Sequence, residues 1–145
     1  MIGAAILQPL VALMAWTMVM WAWMYATRIP AMSKAGIDAR NMVGSTGASL
    51  RDKLPDSVSW KADNYNHLHE APTIFYAVAL TLAVIGQGDG LNATLAWAYV
   101  GLRVLHSLVQ AITNRVVVRF MLFALSSLVL IALILHAAIA VFGWH

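Results

Sequence analysis

Four long apolar runs, separated by brief polar reversals and one polar stretch, decide what this chain can become. They cover residues 2–27, 63–85, 91–112 and 116–142, each near the roughly 20 residues a helix needs to cross the hydrocarbon core of a bilayer. Lipid offers backbone amides no partners, so segments of this kind fold as helices. Only 10% of the residues are charged and 61% are hydrophobic, where a soluble domain carries about a quarter charged residues. Mean hydropathy is +0.76. These features describe an integral, multi-pass membrane protein of one domain spanning 1–145. Its helices are expected at about 2–28, 63–86, 91–113 and 116–142, with a loop over about 29–62.

The connections set the topology. Gly86-Gln87-Gly88-Asp89-Gly90 and Thr113-Asn114-Arg115 are too short for anything but tight reversals. Neighbouring helices are therefore antiparallel, and the predicted fold class is an all-α, up-down bundle of four transmembrane helices. The first run lacks a basic flank and is too long for a signal-peptide core, so no cleavable signal is expected. Lys34, Arg40, Arg51, Lys53 and Lys61 occupy the long loop, with Arg28 at its edge and Arg115 and Arg119 at the third reversal. The N-terminus and the 86–90 turn carry no lysine or arginine. The positive-inside rule places the basic end in the cytoplasm and both termini on the other side, in a membrane expected to be the bacterial inner membrane.

The chain has no cysteine. Disulfides, thiolate metal sites and a cysteine nucleophile are excluded, and any thiol must arrive with a substrate. No metal site and no nucleic-acid partner are expected. His67 and His69 point to different helix faces, and His106 and His136 lie at different depths, a poor haem pair. Gly44-Ser45-Thr46-Gly47 lacks the preceding strand and following lysine of a phosphate cradle and reads as solvated loop.

Arg103 stands inside the third apolar run, where a guanidinium costs roughly 3 kcal/mol even on lenient insertion scales. Such a residue faces a bundle interior or a wet cavity. Counting 1.5 Å per residue from the helix ends puts Arg28, Glu70, Arg103, His106 and Arg119 in one layer near the basic end. Arg103, His106 and Gln110 share a stripe at i, i+3, i+7, and Asn66, Glu70 and Thr73 form another, with His67 beside them. Pro72 should kink the second helix and open a pocket at that depth. Glu70 is expected to pair with Arg103 or Arg119, either as part of a site or as a purely structural bridge. Arg115 reads equally as a membrane anchor, and Arg28 as a residue snorkelling to headgroups. The surplus of arginine asks for a small anionic ligand, whose carboxylates suit the guanidinium fork.

These residues resemble a known family, the membrane-associated proteins in eicosanoid and glutathione metabolism (MAPEG), which includes microsomal glutathione transferases and prostaglandin E synthase. The likeness lies in Gly101-Leu102-Arg103-Val104-Leu105-His106-Ser107, in Asn114-Arg115 with Arg119, and in Asn64-Tyr65-Asn66-His67-Leu68-His69-Glu70-Ala71-Pro72-Thr73-Ile74-Phe75-Tyr76. It covers essentially the whole chain and is greatest to the small bacterial branch. The resemblance implies a homotrimer binding glutathione as cosubstrate between neighbouring subunits, with Arg119 stabilising the thiolate. It implies glutathione-binding roles for Arg28, Asn66, His67, Glu70, Arg103, His106, Gln110 and Arg115. It also implies lipophilic electrophiles or lipid hydroperoxides as second substrates. Departures stand beside it. His67 occupies the place of a motif asparagine, and the motif arginine before it is missing unless Lys61 substitutes. Gln110 stands where some members place a tyrosine, and Phe120 and Phe123 stand where the eicosanoid enzyme has hydroxyls, so prostaglandin activity is not carried over. The alternative is a non-catalytic trimer that binds an anionic lipid or metabolite, or scaffolds a partner. A small transporter fits less well, since no internal repeat or pair of broken helices is visible.

Overall fold

Segments that must satisfy their own backbone in lipid form helices, and almost nothing else is found. The computed structural model describes residues 3–38, 40, 43–44 and 48–143; Ser45-Thr46-Gly47 and His145 lie outside them. Helix α1 runs Leu7–Lys34, and a short 3₁₀ turn spans Ala48–Leu50. Then follow α2 (Asp56–His67), α3 (Ala71–Val84), α4 (Leu91–Ile112) and α5 (Val116–Phe142). The described residues contain no strand. Helices α1, α4 and α5 are each long and apolar enough to cross a membrane. Helix α3 has 14 residues, about 21 Å at the helical rise, so the second crossing needs the last turns of α2 as well.

Two boundaries differ from the sequence expectation. The first helix does not end near 28 but continues through Pro30 to Lys34. It closes on Gly36, at φ +71°. There Ile37 N–H donates to the Met32 carbonyl at 3.0 Å and Gly36 N–H to that of Ser33 at 3.2 Å, the two bonds of a Schellman stop. The extra turns are held because Ala31, Met32 and Ile37 pack on Leu50, Leu54 and Val58. That small cluster shortens the expected 29–62 loop to the stretch between Lys34 and Asp56.

The second helix is not one kinked rod over 63–86; it breaks completely at Leu68–Glu70. Pro72 has no N–H for the Leu68 carbonyl, and its ring crowds that oxygen. In the first turn of a new helix the missing donor costs nothing, because N–H groups there lack helical partners anyway. Glu70 accordingly leaves helical geometry at φ −97°, ψ −101°, directly before α3.

The bundle then assembles antiparallel. At the end away from the basic residues, Gly3 N–H donates to the Ala83 carbonyl at 2.7 Å and Ile6 N–H to that of Gly88 at 2.9 Å. Gly3 and Gly88 touch so closely that a β-carbon on either would enter the other's backbone. At the basic end α2 and α4 are joined by a polar ladder. Lys61 Nζ donates to the Ala111 carbonyl at 3.3 Å, Ser107 Oγ to Asn64 Oδ1 at 2.7 Å, and His67 Nδ1 meets Gln110 Oε1 at 3.1 Å. Between the ends, Leu13, Met20, Leu68, Phe75, Leu82, Tyr99 and Leu133 form one apolar core, with Phe75 and Tyr99 stacked at 4.5 Å. Helix α5 buries Ser126, Leu130, Leu133 and Ala137, packs Val129 against the same core and exposes much of its remaining apolar surface.

Gly88→Ala should lower stability by about 1–3 kcal/mol, the cost of forcing extra volume into a packed contact. Gly101→Ala, where an added β-carbon meets nothing, should be neutral or stabilising, since alanine favours a helix interior by about 1 kcal/mol over glycine. Thermal unfolding in detergent compares them.

Candidate functional site

Helix α4 carries the polar spine of the site. Arg103, His106, Ser107 and Gln110 are all buried, Arg103 to 2% exposure. No acid pairs with it. Among the described residues the expected Glu70–Arg103 or Glu70–Arg119 bridge is absent, and an ion pair forms instead between Arg51 and Asp63 at 2.6 Å. Instead Arg103 Nη2 donates to the His67 carbonyl at 3.5 Å. That oxygen lies at the break, where the Glu70 N–H at 3.1 Å is its partner within the turn. The guanidinium thus sits at the carbonyl end of α2, where helix carbonyls carry partial negative charge.

The break also divides the expected Asn66–Glu70–Thr73 stripe, which assumed a continuous helix. Glu70 is exposed and lines a cavity of about 220 Å³ together with His67, Arg103, His106 and Arg119. Val116, Phe120 and Phe123 complete its outer wall. Asn66 lines a different recess of about 350 Å³ with Arg28, Arg51, Asp63 and Tyr65, and no residue lines both. Gln110 is buried behind His67, holding its ring. Arg115 is exposed at the start of α5 and lines neither space. Lys61 does not fill the place of the missing motif arginine. Its ammonium is engaged by the Ser57 carbonyl at 3.0 Å and lies 5.2 Å from the centre of the Trp23 ring.

Two guanidiniums against one carboxylate leave the cavity cationic. Arg103 Nε, His106 Nδ1 and Arg119 Nε are buried without a hydrogen-bond partner among the described residues. Buried polar atoms rarely go unpartnered, and these three belong to side chains that line one cavity. Arg28 Nε, in the second recess, is orphaned likewise. There the Arg51 fork grips both oxygens of Asp63, at 2.6 and 3.2 Å, and the carboxylate raises the Arg51 guanidinium above its ordinary value.

One positioning residue, Asn114, entered the sequence analysis as part of the family likeness and was given no role. Asn114 Oδ1 accepts a hydrogen bond from Arg119 Nη1. Its backbone lies in the left-handed region at φ 50°, which asparagine tolerates better than most residues. Its place in a three-residue reversal beside Arg115 was the available signal.

The architecture is that of a polytopic helical membrane protein with a cationic cavity opening at the apolar flank of its basic end. A family model described as the MAPEG family matches residues 6–139 of the 145, and the chain belongs to that family. No curated protein and no solved structure matches the chain.

Because no ion pair is broken, Glu70→Gln should change stability by no more than about 0.5 kcal/mol. Ser107→Ala strands the buried Asn64 amide oxygen and should cost about 1–3 kcal/mol. Thermal unfolding in detergent distinguishes the two variants.

Proposed function

We propose that this protein is a membrane-bound, glutathione-dependent transferase or peroxidase acting on lipophilic electrophiles or lipid hydroperoxides. The observation that carries the reading is one cavity lined by Arg103, His106 and Arg119, each of which also has a buried nitrogen without a hydrogen-bond partner among the described residues. Glutathione brings the carboxylates and the thiolate that these donors lack. It also brings the sulfur that a chain without cysteine cannot supply.

Arg119 is the residue assigned to catalysis. Held through one terminal nitrogen by Asn114, its guanidinium is a fixed donor that stabilises negative charge on sulfur without reorganising. Arg103 and His106, with His67 and Glu70, position the peptide. Val116, Phe120 and Phe123 are exposed, so an electrophile dissolved in the bilayer meets the thiolate at the same mouth. A cavity of 220 Å³ falls below the roughly 300–1,000 Å³ of ordinary ligand sites. The second recess holds the remaining unpartnered arginine, Arg28. A homotrimer in which one subunit's Arg28–Asn66 recess faces its neighbour's Arg119 cavity completes the site. In this reading Arg115 contributes from the rim and Gln110 through His67. The basic end faces the cytoplasm, and both termini face the other side of a bacterial inner membrane.

A second reading is a non-catalytic trimer that binds an anionic lipid or metabolite, or scaffolds a partner. It is favoured by the absence of the motif arginine before His67. Glutathione that stabilises the protein without turnover selects it.

Arg119→Ala should lower kcat/KM for glutathione and an aromatic electrophile by about 10²–10³, the usual loss for one preorganised donor. The oligomer and its unfolding temperature should be retained. Unchanged turnover overturns the assignment. Asn114→Gly keeps the left-handed turn, which glycine favours, and removes only the carboxamide. It should lower kcat more than it raises KM.

A further inference from the structure

We propose that His67 is the proton acceptor and donor of this site, an inference resting on the glutathione reading above. The arrangement is specific to the break between α2 and α3. His67 lies at the last turn of α2, where its carbonyl accepts from Arg103 Nη2 at 3.5 Å and from the Glu70 N–H at 3.1 Å. Its ring is held separately, with Nδ1 3.1 Å from Gln110 Oε1. An amide oxygen only accepts, so Nδ1 carries the proton. Nε2 is then the basic nitrogen, and it belongs to a side chain that lines the cavity with Arg119. A ring whose second nitrogen is fixed by a buried acceptor is the arrangement that makes histidine an oriented base. Backbone and ring are thus clamped by two residues of the same face of α4, Arg103 and Gln110.

The surroundings of the ring are charged on several sides. Arg103 and His106 from α4, Arg119 from α5 and Glu70 at the break are the titratable or charged groups lining the same cavity; α1 brings none to it. The His106 ring lies 6.4 Å from that of His67. Both arginines keep their protons at working pH, so fixed positive charge lines the cavity where a thiolate would form.

The chemistry balances for addition to a lipophilic α,β-unsaturated carbonyl compound. Nε2 takes the thiol proton, leaving a thiolate beside Arg119 and an imidazolium. A sulfur lone pair forms the C–S bond at the β-carbon while the π pair moves towards the carbonyl oxygen as enolate. The imidazolium returns the same proton to the α-carbon. One thiol and one enal give one thioether, with no leaving group and no other reactant.

The test uses the full-length protein in detergent, with glutathione as ligand and nonenal as electrophile. Thiolate is read by its ultraviolet absorbance and released acid by an indicator dye in weak buffer near neutral pH. In the wild type, thiolate should form without matching acid release, because the proton stays on His67. In His67→Asn, each thiolate formed should release about one proton. Turnover should fall by about tenfold or more, the low end for a lost acid–base group being near 10², and should recover as rising pH ionises the thiol unaided. KM for glutathione should stay nearly constant. Gln110→Leu, which frees the ring without removing it, should shift the proton count in the same direction. If the variants fail to fold, the wild-type proton count decides alone. Full acid release in the wild type, or an identical count in His67→Asn, overturns the inference while leaving the transferase reading intact. A wild type that forms no thiolate and turns over no electrophile overturns both.

Discussion

The rest of the site depends on a guanidinium buried without a carboxylate. Arg103 is almost fully enclosed, and a charge at that depth is unfavourable by several kcal/mol unless something polar receives it. What receives it is the carbonyl end of a helix broken by Pro72. The break and the arginine solve one another's problems. The His67 oxygen, which also accepts from the Glu70 N–H, gains a charged donor, and the charge gains the negative end of the α2 dipole. This leaves Glu70 to line the cavity rather than being consumed in an ion pair, while Arg103 Nε is buried without a partner among the described residues.

The same packing separates two kinds of surface. Helix α4 spends its buried face on polar residues, with Arg103, His106, Ser107 and Gln110 all turned inward. Helix α5 is more apolar and buries far less of itself, so its outward face is available to lipid or to another subunit. The cavity lies where these meet, and its walls are correspondingly cationic on one side and aromatic on the other. A polar thiol-bearing peptide and a membrane-dissolved electrophile would approach from different phases, and a boundary of this type brings them together. The second recess holds Arg28 and the Arg51–Asp63 fork and shares no lining residue with the first.

Much of the bundle was legible in the residues because lipid imposes simple rules. Span length, charge-free composition and short reversals report a backbone that must satisfy itself, and they report it locally. The stripe of Arg103, His106 and Gln110 was equally visible, since an unbroken helix preserves its periodicity. Errors arose where a local rule depended on a distant partner. Pro72 announced a disturbance, but a kink and a full break differ by whether another helix donates to the freed carbonyls. That donor is Arg103, 36 residues away. Extending α2 through the break then placed Asn66 and Glu70 on one face, which the structure assigns to separate spaces. The first helix outran its apolar segment because Met32 and Ile37 found partners in Leu50, Leu54 and Val58, a contact invisible to periodicity.

By itself the sequence determined the number of apolar runs, the clustering of basic residues at one end and the helix bearing the buried polar face. These follow from hydropathy and spacing within each run. Tertiary structure alone decided which groups meet: His67 with Gln110, Arg103 with a carbonyl rather than an acid, Arg119 with Asn114. The reason is directional. A hydrogen bond requires an angle and a distance of about 3 Å, and these are fixed only when separate helices pack.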